Sequence, residues 1–257
     1  VLTHNLKFVL PATGDALKSI RLKNAMPGVK GFGCISRGLP VGWAAWRRTR
    51  PTDTFRAPTL NGGEPMEPIA NLLFEAATLK RIPRSGYHFL GAGGESVAEH
   101  SFIITFIAYV MSRMEPDADA GRLLAMCLVH DLPEARTGDL NSVWKQYVSA
   151  DEPKAVAQLA ADLPFGESIA DLIAEYNDGE TLAARLAHDA DQLAFILDLK
   201  ALSDIGHLPP KKWLPAVTAR LRTPTGRRIC QAVLDTPWDT WWLEKILLTD
   251  SGETTKS

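Results

Sequence analysis

Imidazole and carboxylate groups that point toward a protein core are the ligands a divalent cation needs, and this chain places several of them inward. His100 shares a helical face with Val97, Ile104, Ile107 and Met111 by three- and four-residue spacing. His130 lies over Leu123, Met126 and Cys127 by the same spacing, and Asp131 follows at the end of the most apolar helix. An ionised carboxylate there is costly unless it is paired or bound to a metal. Glu134 and Asp139 come next, in His130-Asp-Leu-Pro-Glu-Ala-Arg-Thr-Gly-Asp139. Pro133 lacks a backbone donor, so the helix is expected to end or bend there, which gives Glu134 room to overhang the cation site without ligating it. A carboxylate that positions an attacking water belongs at such a place. A later helix carries Asp189 and Asp191, the second held near the core by Leu193, Phe195 and Ile196.

Each group also has a plainer reading. A core histidine is often only a hydrogen-bonded packing residue, Glu134 and Asp139 could be surface acids or a helix cap, and Asp189 and Asp191 could form a solvated face. His88 and His188 read as non-ligands, and His4 and His207 have no informative context. The adjacent His130-Asp131 pair ending a buried helix, with a second inward histidine upstream, favours the metal centre.

The elements that must hold these groups are helical. From Met66 onward, apolar residues recur at three and four, and the pattern predicts helices over 66–79, 95–114, 119–130, 139–149, 152–162, 166–176, 179–204, 211–221, 225–235 and 238–248. The helix over 119–130 is apolar on most sides and reads as buried. There is no convincing strand pair, glycine-rich phosphate loop or internal repeat, so the expected fold class is an all-α bundle with short connections. The expected domains are a helical domain over 66–248, a polar C-terminal tail over 249–257, and a Gly/Pro-rich N-terminal extension over 1–65. That extension carries ten Lys and Arg against three acidic residues, a net +7, while the rest of the chain carries −9. It reads as a loosely ordered segment or one outside the native fold. Its cations form no stripe on a helix, which argues against a nucleic-acid-binding arm. It is too poor in serine for a transit peptide and lacks the layout of a signal peptide.

Composition bounds the class. With 257 residues, 46% hydrophobic and 23% charged, the chain is ordinary globular protein, neither disordered, collagen-like nor a disulfide-stapled miniature. Its longest apolar run, Phe102 to Met111, is ten residues, and about 20 are needed to cross a bilayer. The three cysteines, Cys34, Cys127 and Cys230, form no CxxC pair, which suggests neither a disulfide framework nor a cysteine zinc site. A cytoplasmic location is expected.

His100, His130-Asp131 and Asp191, in this order and on helices, resemble the HD-domain metal-dependent phosphohydrolases, and within them the 5′-deoxynucleotidase branch. The resemblance covers about residues 66–245. It is carried by Phe74-Glu-Ala-Ala-Thr-Leu-Lys-Arg-Ile-Pro-Arg-Ser-Gly86, Glu95-Ser-Val-Ala-Glu-His-Ser101, His130 to Leu140 and Ala190-Asp-Gln-Leu193, with Trp238, Trp241 and Trp242 as further marks of the group. It implies that His100, His130, Asp131 and Asp191 ligate one metal ion. It further implies that Glu134 orients or deprotonates the attacking water, that Asp139 contacts the sugar or takes part in proton transfer, and that Arg84 holds phosphate or sugar. It also implies a homodimer. Some bacterial members carry a substrate-contacting Trp where this chain has Ser85, which leaves base and sugar selectivity open.

Physical chemistry fits these roles. Arg84 can grip a phosphate in a bidentate way, and Lys145 is a second candidate phosphate partner, with a solvated lysine as its plainer reading. Imidazole ligands point to Mn²⁺ or Co²⁺, with Mg²⁺, Zn²⁺, Ni²⁺ or Fe²⁺ as other candidates, rather than Ca²⁺. The expected activity is hydrolysis of (deoxy)nucleoside 5′-monophosphates, small-molecule substrates, to nucleoside and phosphate. Arg84, Arg136 and Lys145 are few cations for a triphosphate, which favours a monophosphate over another phosphoester or a nucleoside triphosphate. A non-catalytic regulatory metal module is the non-enzymatic alternative. The presence of all four ligand positions and Glu134 speaks against it.

Overall fold

The computed structural model describes residues 66–243 and 246, and their regular secondary structure is helical, joined by turns and loops, with one isolated bridge between Pro83 and Ser96. The expectation of an all-α bundle is met. Helix α1 spans Glu67–Thr78, with Pro68 in its first turn. A short 3₁₀ turn, Leu79–Arg81, and a four-residue helix α2, Tyr87–Leu90, lead to α3, Val97–Met114. Helix α3 begins with a complete capping box: Ser96 Oγ accepts from Glu99 N–H at 3.2 Å, and Glu99 Oε2 accepts from Ser96 N–H at 2.6 Å. Helix α4, Ala120–Val129, is capped by Asp119, and α5, Glu134–Thr137, follows a turn over 130–133. Helices α6, Glu152–Ala160, and α7, Gly166–Asp178, precede the longest described helix, α8, Leu182–Asp204. Helices α9, Pro210–Thr218, and α10, Pro224–Asp235, complete the bundle.

Helix α8 is the central post, with α3, α4, α7, α9 and α10 packed around it. Small residues on its inward face, Ala184, Ala187 and Ala190, let neighbours approach closely, and Leu186, Leu193, Ile196 and Leu199 fill the core beside Ile104, Met111, Leu123 and Met126. A second apolar cluster of Leu79, Val97, Leu132, Leu159, Ile169 and Ile173 ties α3 to α7 and to the turn after α4. Full burial of side chains this size is worth about 1.5–3 kcal/mol each.

Several sequence expectations are corrected. No α-helix forms over 139–149, where there is only a 3₁₀ turn at Trp144–Gln146. Asn141 Oδ1 accepts from the N–H groups of Val143 and Trp144, both at 3.0 Å, a local bond that competes with helix formation. The stretch from 143 to 151 is exposed, so no burial offsets that competition. The long helix starts at Leu182 rather than 179, because Gly179 ends α7 in the left-handed region and Thr181 caps α8. Helix α4 is less enclosed than its composition suggests, since Leu128 faces outward. Of the expected helix over 238–248, residues 238–239 form a turn, 240–243 and 246 are helical, and 244, 245, 247 and 248 lie outside the described residues, as do the extension over 1–65 and the tail over 249–257. Trp241, one of the tryptophans that carry the family resemblance, is largely exposed.

Candidate metal centre and substrate cleft

Three helices converge on one point. His100 lies on the first full turn of α3, His130 caps the C-terminal end of α4, and Asp191 lies on α8. Ligand atoms of these three residues all lie within 4.8 Å of one another, the one such group among the described residues. Asp131, the fourth expected ligand, adjoins them with Oδ1 3.2 Å from His130 Nε2. His100 is fully buried and His130 nearly so, as the helical spacing predicts.

The histidines are oriented by their second nitrogens. His130 Nδ1 lies 3.0 Å from the Cys127 carbonyl, so its N–H donates there and the Nε2 lone pair faces the site. His100 Nε2 stands 2.9 Å from Asp191 Oδ1, and its Nδ1 stands 3.0 Å from Glu95 Oε1. Gln192 Nε2 donates to the other Asp191 oxygen at 2.8 Å. Tyr176 stacks between His130 and His188, with ring centroids 4.5 and 4.2 Å away. His88 and His188 bond to the carbonyls of Ser85 and Tyr176, in keeping with their reading as non-ligands.

Arg84 sits inside this acidic ring. Its guanidinium nitrogens lie 3.6 Å from Asp131 Oδ2, 3.8 Å from Asp191 Oδ1 and Glu95 Oε1, and 4.0 Å from Asp139 Oδ2. Burial works against its charge, but the carboxylates of Asp191, Asp131, Asp139 and Glu134 keep it cationic. Asp139 also accepts from Ser85 N–H at 2.7 Å, so one of its oxygens fixes the Arg84 loop. Asn141 Nδ2 donates to Ser85 Oγ at 3.1 Å, which turns the buried Ser85 side chain into a loop brace.

The protonation pattern is that of a charge-dense site. Burial alone would lower His100, but Asp191 and Glu95 hold it up at about 9. Burial would raise Asp191, but His100, Arg84 and His130 pull it far below the usual carboxylate range. Burial, with Asp131 and Asp139 beside it, pushes Glu134 up to about 9. Strong shifts gathered in one cleft mark a functional site.

The residues fit a divalent cation. Two imidazoles and two carboxylates suit a first-row transition ion. Two buried carboxylate oxygens here, Asp131 Oδ2 and Glu134 Oε2, have no hydrogen-bond partner, the deficit a bound cation and its water would relieve.

A cleft of about 810 Å³ opens from this centre. Arg84, Glu134, Asp139 and Lys145 line it, together with His130, Asp131 and Asp191. Arg136 does not, because it pairs with Glu75 and Gln158 on the outer surface. Sequence reading missed the opposite wall, where Lys212, Trp213 and Arg220 line the cleft from α9 and the turn after it. No local pattern marks them, since only the packing of α9 on α8 brings them there. Glu95 was also missed, although it stood inside a quoted motif.

Comparison with known proteins places the chain in context. The family model of the HD domain matches residues 76–226. A protein of Dictyostelium discoideum named 5′-deoxynucleotidase HDDC2 is 29% identical over 131 residues, which cover 46% of this chain and 69% of that protein. A Schizosaccharomyces pombe protein named 5′-deoxynucleotidase hdd1 is 27% identical over 131 residues, 47% of this chain and 65% of its own length. This chain thus spans about two thirds of each. Among solved structures, a predicted metal-dependent phosphohydrolase from Magnetospirillum magnetotacticum superposes with a TM-score of 0.54 at 25% identity, covering 66% of this chain and 91% of its own. A conserved hypothetical protein from Pyrococcus furiosus gives 0.54 at 27%, covering 64% and 98%.

Proposed function

This chain belongs to the HD domain family of metal-dependent phosphohydrolases, and from that premise we propose that it converts (deoxy)nucleoside 5′-monophosphates to nucleoside and phosphate. The observation that carries the reading is the His100, His130 and Asp191 cluster opening into one cleft beside the unpartnered Glu134 carboxylate. The two curated relatives named 5′-deoxynucleotidases support the substrate class.

In the net reaction, the oxygen of water bonds to phosphorus, the P–O5′ bond breaks, and O5′ leaves with a proton. A divalent cation held by His100, His130, Asp131 and Asp191 would lower the pKa of water and draw charge off the phosphoryl group. With the cation's charge offsetting Asp131, whose carboxylate helps keep Glu134 protonated in the metal-free site, Glu134 would be ionised, and it then takes the proton of the attacking water and passes it on toward O5′. Arg84, set beside Asp131 and Asp191, neutralises charge on the phosphoryl oxygens. Asp139 keeps the Arg84 loop in place through Ser85 N–H, and its cleft-facing side is open to the sugar. Lys145 approaches the substrate from the 3₁₀ turn.

A second reading has its own support. The count of cations that favours a monophosphate includes Arg136, which lies outside the cleft, and omits Lys212 and Arg220, which line it. A substrate with more than one phosphate would use these two.

The test is phosphate or pyrophosphate release from a panel of deoxy- and ribonucleoside mono- and triphosphates. Metal-stripped protein receives Mn²⁺, Co²⁺, Mg²⁺ or Zn²⁺ in turn, beside Glu134→Ala. Metal-dependent release of phosphate from deoxynucleoside monophosphates, lost in the variant, is the expected result. Release from triphosphates alone would establish the second reading. No release from any member would overturn both.

A further inference from the structure

Glu95 has no part in the reaction just described, yet it touches both halves of the site. We infer that Glu95 is a positioning residue that couples the phosphate-facing arginine to the metal-facing histidine: its carboxylate holds His100 with Nε2 free for the cation and steers Arg84 across the acid ring. The inference rests on the metal reading of His100.

Local geometry forces the contact. Ser96 is the N-cap of α3, which makes Glu95 the residue before the cap and His100 the fourth residue of the helix. Those are the two positions that a hydrophobic staple brings together at a helix start. Here a carboxylate and an imidazole occupy them, and Glu95 Oε1 comes within 3.0 Å of His100 Nδ1. The oxygen lies off the in-plane N–H direction, so His100 Nδ1 has no completed hydrogen bond to any group in the described residues. Glu95 Oε1 is the carboxylate oxygen beside that nitrogen, and turning the carboxylate about its last torsion is the movement that would complete the bond. Nδ1–H then donates to Glu95, which fixes the tautomer and leaves Nε2 as the ligand nitrogen.

The same residue anchors Arg84 twice. The Glu95 carbonyl accepts from Arg84 N–H at 2.9 Å, and the Ile82 carbonyl accepts from Val97 N–H at 2.9 Å, across the bridge of Pro83 and Ser96. Its Oε1, the oxygen facing His100, also lies 3.8 Å from Arg84 Nε. One side chain therefore reads the position of both groups, and the capping box holds its backbone in place.

The test compares unmodified protein, Glu95→Gln and Glu95→Ala by calorimetric titration of metal-stripped protein with Co²⁺, followed by kcat and KM for the best substrate at saturating Co²⁺. Glu95→Ala should weaken Co²⁺ binding by about 10–100-fold. Glu95→Gln keeps an acceptor for Nδ1–H and should recover most of that loss. It lacks the charge facing Arg84, so its KM should rise several-fold while kcat changes less. If Glu95→Ala, verified as folded by circular dichroism, binds Co²⁺ as the unmodified protein does, the positioning role is overturned and the metal reading stands. If Glu95→Gln is as weak as Glu95→Ala, hydrogen bonding to His100 is not what Glu95 supplies, and the inference fails. Absence of Co²⁺ binding by the unmodified protein would overturn both this inference and the function proposed above.

Discussion

Glu134 and His100 hold protons that the unfolded chain would release, and this gives the metal-free protein a characteristic pH response. His100 rises from 6.5 to about 9 on folding, so its contribution to stability is complete below pH 6.5 and is lost as pH rises through 9. Glu134 rises from 4.5 to about 9, and its contribution declines over that interval in the same direction. The Tm of metal-stripped protein should therefore fall between pH 6.5 and 9, and Glu134→Gln should make that fall shallower. A Tm that holds or climbs over this range would contradict the assignment. Saturating Co²⁺ should reverse the trend, because ligation requires His100 to be neutral. The same Glu134→Gln variant should keep its Co²⁺ affinity and lose at least about a hundredfold in kcat. At this scale the sequence is most legible where a side chain's direction follows from helical spacing, as for His100 and His130. Glu95 is legible too, once Ser96 and Glu99 are read as a capping box, because the box fixes what flanks it. Arg84 has no periodic signal. Its place among four carboxylates is set by contacts from four different segments, and only resemblance to a family points to it.

Helix α8 shows how one element serves two purposes at adjacent positions. Asp191 faces the metal centre, while Asp189, two residues earlier, is fully buried on another side. Asp189 accepts from the N–H groups of Arg222 and Thr223 at 2.7 and 2.8 Å and from Thr223 Oγ1 at 2.6 Å, and so anchors the start of α10. Neither of the roles considered from sequence, a ligand-bearing pair or a solvated face, describes Asp189. Its partners lie more than thirty residues away, where no local pattern reaches. The fit is tight: a Cβ on Gly226 would stand 2.2 Å from Asp189 Oδ2. Gly226→Ala should cost about 1–3 kcal/mol, read as a lower denaturant midpoint at unchanged m. Asp189→Ala should cost on the order of 3 kcal/mol by stranding buried donors. The two losses should not add, because the second substitution removes the atom the first one strikes. Strict additivity would mean that the close approach relaxes elsewhere. Prediction over 139–149 failed for a related reason: Asn141 offers the backbone local bonds that apolar periodicity does not register.

Across the whole molecule, both apolar clusters of the described residues draw on the chain from Leu72 to Leu234. A chain of residues 66–257 should therefore unfold cooperatively and bind Co²⁺ with the affinity of the full chain. A loss of either property would assign the extension over 1–65 a part in the fold. Helical class and the order of the main helices follow from the repeat of apolar residues, because burial on one face leaves its period in the chain. The cleft does not leave such a trace. Its floor comes from α3, α4 and α8 and its far wall from α9 and the turn behind it, so its cations can be counted only after packing. No helix among the described residues is long and apolar enough to cross a membrane.

The bridge between Pro83 and Ser96 closes the neck of a loop whose interior runs through α2, with Phe89 reaching the cleft and Gly91 turning the chain at φ 74°. Arg84 lies just inside that neck on one side and Glu95 on the other, with His100 a helical turn beyond it. The loop tip around Gly91 and Ala92 stands outside the cleft lining, and Phe89 is where the far part of the loop bears on the cleft. The two backbone hydrogen bonds of the neck stand between that tip and Arg84 and His100, so the loop's sequence has room to drift while the spacing of the two groups is kept.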